Sequence, residues 1–400
     1  MKEKSRWIFV IVGFLINLCL GSVYSWSVFR KPLEDFFKIR SITSGLPFMI
    51  FLSAYAFFMP FAGRLIRRNG PCKVAFIGSL MVGIGWMISG YATNIFQIIL
   101  SYGLVAGMGV GIVYGTPLAV IAKWFPEKNG FATGLVLAGF GLSPLISAPF
   151  INLLIEQKGP LISFKIIGLL FLILISVLSL ILKYPDDPIH IDKIENSRKE
   201  LKIERDIETK VMVKMKSFYG LWLSFALGTM VGLMIIGISK PVALEEIGLS
   251  KNTATAMLSI FALSNGLGRP LFGWIVEKML PRKTAILTFL FICFASLLMM
   301  SANHGDKVKY FISFVLFWLC FGAWLSIAPI TNILYFGRKS YTENYGILFT
   351  AYGVGAIVGN LLSGFCRDIT GNYQSVFLST LLIGFFGLVI SIFFIQSPRG

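Results

Sequence analysis

Charge is what this chain has least of. Only 14% of its 400 residues are Asp, Glu, Lys or Arg, where an ordinary soluble domain carries roughly a quarter. So few charges cannot clothe a water-facing surface, and 56% of the residues are hydrophobic, so a soluble globular fold is excluded. Acids are scarcer than bases, 19 against 36, and there are two histidines. His190 and His304 both fall in polar loops, and no Asp, Glu or His lies within the long apolar runs. That removes the usual side chains for a buried proton relay, a metal site or Ser/His/Asp chemistry, and neither an enzyme nor a cofactor is expected. The five cysteines, Cys19, Cys72, Cys293, Cys320 and Cys366, are never spaced as CxxC, which argues against a disulfide framework and a zinc site. No GxxxxGK[ST] loop occurs, so ATP is not the expected energy source. The formal net charge of +17 is scattered over the ends of apolar runs rather than gathered in a patch, and no nucleic-acid partner is expected.

What the chain has in abundance is apolar length. A helix needs ~20 apolar residues to cross ~30 Å of hydrocarbon. Runs of that kind fall at 7–29, 44–66, 74–91, 95–122, 130–153 and 162–182, then at 218–239, 252–276, 284–301, 310–336, 344–366 and 373–396. The expected fold is an all-α integral membrane protein with twelve spans in two six-helix halves. The first run follows a basic stretch but lacks a small-residue cleavage site, and reads as a retained helix rather than a signal peptide. Lys183 to Ser217 is the only long polar segment and mixes acids with bases, as a solvated, partly helical connector would. The expected division is a bundle over 1–183, a connector over 184–217 and a second bundle over 218–400. Lys and Arg favour alternate segments, notably Arg64, Arg67, Arg68 and Lys73 at and beyond the end of the second run and Arg282 and Lys283 after the eighth. This bias puts both termini and the connector in the cytoplasm of a cell membrane.

The halves also repeat each other. Lys31-Pro32 returns as Lys240-Pro241, each followed by paired acids, Glu34-Asp35 and Glu245-Glu246. MPFAGRLIRRNGPCK, from Met59, lies over RPLFGWIVEKMLPRK, from Arg269, and Pro117 is answered by Pro329. An ordered series at a nearly constant offset of about 210 residues marks duplication, and a parallel repeat puts a binding site between the halves near mid-membrane.

With these residues assembled, the chain resembles the major facilitator superfamily over nearly its whole length. The superfamily's loop signature after the second helix is similar to GRLIRRNGPCK (Gly63 to Lys73) and, more loosely, to GWIVEKMLPRK (Gly273 to Lys283). GSVYSWSVFRKPL, YGTPLAVIAKWFPEKNGFATGLVLAGFGLS and SNGLGRPLFGW resemble the oxalate:formate antiporter family of carboxylate transporters. The resemblance implies a major facilitator fold and a gate at the two loop motifs, Gly63 and Arg67 in the first, Gly273 and Glu277 in the second. The signature's acid is Arg67 here, whereas the second copy keeps Glu277. It also implies a site with one cation at Arg269, and where the oxalate transporter carries a second, this chain has Tyr352.

Arg269 is the strongest signal in the residues themselves. It lies nearer the middle of its span than either end, where an arginine costs at least ~2.5–3.5 kcal/mol, so the position calls for an anionic partner. Its planar fork matches a carboxylate bidentately, though an arginine can also snorkel to the interface or bond backbone carbonyls. Asn265, one turn away, is placed to orient it. Tyr24, Tyr114, Trp324, Phe349 and Tyr352 recur where the halves should face each other and could supply hydroxyl donors and a dry wall, although packing alone can also account for each. The expected function is secondary transport of a small monocarboxylate such as formate, lactate or pyruvate by anion exchange, acting as a monomer in the bilayer. The alternatives are proton-coupled symport, oxalate:formate exchange, or, in another class, an anion-binding membrane sensor.

Overall fold

The structure, a computed structural model, describes residues 6–125, 128–185, 206–337 and 340–396. All twelve apolar runs are helical. In chain order the helices are α1 Trp7–Phe37, α2 Ser41–Asn69, α3 Pro71–Ser89, α4 Ile95–Trp124, α5 Asn129–Lys158 and α6 Pro160–Ser179. The second set is α7 Lys216–Glu246, α8 Lys251–Met279, α9 Pro281–Met300, α10 Lys307–Phe336, α11 Tyr341–Thr370 and α12 Gln374–Phe394. Eleven of these are long and apolar enough to cross a membrane. The exception is α8, which at 29 residues has the length but is diluted by polar side chains, Asn265 and Arg269 among them. Several helices outrun their hydrophobic segments: the run at 218–239 continues through Glu246, and the run at 344–366 starts at Tyr341. Hydropathy marks the lipid-facing stretch, whereas backbone hydrogen bonding carries a helix on through its charged ends. Ser217, expected at the end of the connector, is already inside α7. Most of the connector, including His190, lies outside the described residues; its far end forms a single turn, Thr209–Met212.

The repeat is visible in the turns. Gly70 (φ 79°) and Gly159 (φ 80°) end α2 and α5 in a backbone region open to glycine, and each is followed by a proline that starts the next helix. Leu280, before Pro281, occupies the position of Gly70 in the second half and takes nearly the same backbone shape, φ 72° and ψ 147°, despite its side chain.

Helices α1–α6 pack on one another, as do α7–α12, and the two sets meet mainly along α2 with α11 and α5 with α8. Small residues permit these crossings. A Cβ added to Gly63 would lie 2.6 Å from the Thr342 carbonyl oxygen, one on Gly346 would lie 2.8 Å from Pro60 Cα, and one on Gly134 would lie 2.8 Å from Pro270 Cα. The backbones therefore touch across the interface between halves. Two helices are irregular where they pass the interior: α1 tightens to a 3₁₀ turn over Gly21–Ser25, and α4 widens to π-helical turns over Ile99–Ala106.

Candidate functional site: a buried arginine between the halves

Arg269, on α8, is fully buried (0% exposed) at the interface between halves. Its Nη1 donates to the Leu137 carbonyl of α5, 2.6 Å away, while Nε and Nη2 make no hydrogen bond to any described residue. The backbone-carbonyl alternative is thus realised by one donor. A carbonyl supplies a dipole but no charge, so the cation remains uncompensated and two of its nitrogens stay free for an acceptor. The guanidinium carbon stands 5.6 Å from the Phe140 ring centroid, a face that helps hold a cation out of water.

Tyr24 sits in the 3₁₀ turn of α1, which lies against the Phe140 backbone at Gly21. Its ring packs 5.1 Å from Phe140, the ring that faces Arg269, and its hydroxyl is 2.9 Å from that of Tyr352, on α11. Two residues far apart in sequence, one from each half, thus join in a hydroxyl pair across the interface between the halves. Phe349 stacks on Tyr352 with centroids 4.9 Å apart, and Tyr114 packs 5.6 Å from Phe349. Of the residues singled out in the sequence, Arg269, Tyr24, Tyr352, Phe349 and Tyr114 therefore lie together. Asn265 is buried one turn above Arg269 and turns toward Gly322 of α10, with neither amide atom hydrogen-bonded to a described residue. Trp324 is not brought into this group: it packs against Phe289 of α9 and the face of Gly228 on α7, inside the second half.

The structure adds residues that the sequence did not single out. Phe140 forms the wall under Arg269, and Tyr55 meets Tyr114 (5.1 Å), Phe349 (5.0 Å) and Tyr352 (5.6 Å). Tyr345 completes a stripe with Phe349 and Tyr352 on one side of α11, its ring 5.6 Å from that of Phe349. That i, i+4, i+7 spacing was the signal available for Tyr345. The result is a buried cluster in which Arg269 is surrounded by tyrosines and aromatic walls drawn from both halves.

The two loop motifs close one face of the bundle. Glu277 Oε1 accepts from the Gly130 N–H at 3.0 Å, where its charge meets the start of α5 in the other half, and Gly273 lies beside the Gly130 carbonyl. At the first motif the polarity is reversed: Arg67 Nη2 lies 2.8 Å from Glu343 Oε1 in the first turn of α11, and Gly63 abuts Thr342. The motif whose acid is replaced thus bridges the halves with a base.

Comparison with known proteins agrees with this architecture. The family model described as Major Facilitator Superfamily matches residues 7–334 and 221–400, and the chain belongs to that superfamily. It is 27% identical over 398 residues to an oxalate:formate antiporter of Oxalobacter formigenes, covering 99% of this chain and 92% of the other. It is 24% identical to monocarboxylate transporter 12 of Rattus norvegicus, covering 95% and 85%. Among solved structures it matches the major facilitator transporter FucP in its outward conformation, with a TM-score of 0.66, 15% identity and coverage of 97% and 100%, which is a likeness of fold. The protein is a multi-pass membrane protein of the major facilitator type.

Proposed function

We propose that this transporter carries a small organic monocarboxylate by alternating access of its two halves, with Arg269 as the anion anchor. The observation that carries the reading is the buried guanidinium with two unspent nitrogens and no carboxylate paired with it among the described residues. The relatives named for oxalate, formate and monocarboxylates point to the same chemical class. A monoanion neutralises Arg269, whereas oxalate brings a second negative charge into low dielectric that Tyr352 and its neighbours can meet only with hydrogen bonds. The name of the first relative keeps oxalate:formate exchange as a second reading. Exchange is favoured over proton symport because the loaded site loses its net charge while the empty one keeps it, so the loaded protein reorients more readily. In this reading the bundles are 1–183 and 218–400, the protein works as a monomer, and the basic face with both termini is cytoplasmic in the cell membrane.

The test is initial uptake of radiolabelled formate, lactate, pyruvate and oxalate into proteoliposomes, each with and without unlabelled competitor. One or more monocarboxylates should be taken up saturably and outcompete oxalate. Oxalate binding as tightly as any monocarboxylate contradicts the single-charge assignment.

A further inference from the structure

The polar residue next to the reversed ion pair does something the transport cycle does not require of it. Asn344 is fully buried in the first turn of α11, and its side chain spends both ends on the connector. Nδ2 donates to the Ile207 carbonyl at 3.0 Å, and Oδ1 accepts from the Thr209 hydroxyl at 2.7 Å. The Ile207 N–H in turn donates to the Phe336 carbonyl at the end of α10, 2.9 Å away. The end of the connector is thus threaded between the end of α10 and the start of α11 and held by three hydrogen bonds. Glu343, immediately before Asn344, makes the ion pair with Arg67 of the other half, with its side chain 17% exposed.

We propose that Asn344 is a positioning residue through which the connector sets the gate between the halves: it pins the first turn of α11 so that Glu343 faces Arg67. A helix begins with unsatisfied backbone groups and frays readily, and the turn that must present Glu343 is such an end. Tying the adjacent side chain to the connector holds that turn without adding charge at the interface. The pinned turn lies beside a crevice of about 10 Å³ lined by Gly63, Ile66, Gly115, Tyr341 and Tyr345. A force or a partner acting on the connector would reach the ion pair through one residue.

The inference rests on the alternating-access reading, and its test needs no substrate. Gly115→Cys provides a probe in the crevice, since a Cβ there meets only Met59 Cε at 3.8 Å and Ile66 Cδ1 at 3.9 Å. The rate of maleimide labelling at this position, above that of the parent protein, reports opening of the basic face. Arg67→Ala should raise the rate about two- to fivefold, the range set by one partly exposed ion pair. Asn344→Ala should do the same, and Thr209→Val, which removes only the hydroxyl donor, should raise it by less. Combined with Arg67→Ala, neither should add a further increase, because both act through the same pair. Rates that add in the double variants, or no increase with either connector-side variant alone, overturn the proposal. Absence of carboxylate uptake would instead sink the functional reading and leave the labelling result standing.

Discussion

At the residue scale, Arg269 should be indispensable and the hydroxyls around it graded. Tyr24→Phe removes one donor while keeping the ring, and should weaken binding by roughly 0.5–1.5 kcal/mol, a few-fold in KM for the carboxylate. Tyr352→Lys replaces the hydroxyl that lies 2.9 Å from that of Tyr24 with a second cation and should move preference toward dicarboxylates, read as the ratio of oxalate to lactate inhibition constants. An unchanged ratio would mean that Tyr352 does not face the substrate. Arg269 was legible in the sequence because a charge amid apolar residues has few explanations. Tyr55, Phe140 and Tyr345 were not, because an aromatic residue in an apolar run looks the same whether it faces lipid, a neighbour or a cavity. What distinguishes them is the opposing half, which lies beyond 100 residues away in sequence for each contact with Tyr352 and Phe349 that Tyr55 makes. Trp324 illustrates the converse: its position on α10 suggested the interface between the halves, and Gly228, by having no side chain, makes room for the indole within the second half instead.

At the scale of elements, two devices set how the helices meet. Gly134→Val would drive a branched side chain into the backbone of Pro270 and raise the cost of the closed α5–α8 contact by roughly 1–3 kcal/mol. Transport should fall while the protein still inserts and purifies, and the crevice at Gly115 should label faster. Leu280 holds a backbone shape that is nearly glycine-only, at a cost on the order of 1–3 kcal/mol. Leu280→Gly, which restores the residue found at its counterpart Gly70, should raise the unfolding midpoint in detergent by about 1 kcal/mol equivalent; a lower midpoint would show that the exposed leucine contributes more than its strain costs. The sequence announced the helices and the repeat through apolar length and proline spacing. It did not announce the partner of Arg67, because nothing in the sequence ties Glu343 to a residue 276 positions away until α2 and α11 lie side by side.

At the scale of the whole molecule, the two halves pack around Arg269, the one fully buried cation among the described residues, and the coupling of transport follows from that charge. Uptake into proteoliposomes preloaded with the same carboxylate should exceed uptake into empty ones severalfold, with little dependence on an imposed pH gradient, since no Asp, Glu or His was found in the apolar runs to hold the proton. Fast uptake into empty vesicles driven by an inward proton gradient would assign symport. The measurement that bears most directly on Arg269 as anion anchor is equilibrium binding of a labelled monocarboxylate to purified wild-type protein, Arg269→Lys and Arg269→Gln, with folding checked by thermal unfolding. Removing the charge should weaken binding by about 2–5 kcal/mol, at least thirtyfold, and Arg269→Lys, which keeps the charge but lacks the planar fork, should fall between. Wild-type affinity in a folded Arg269→Gln protein would contradict it.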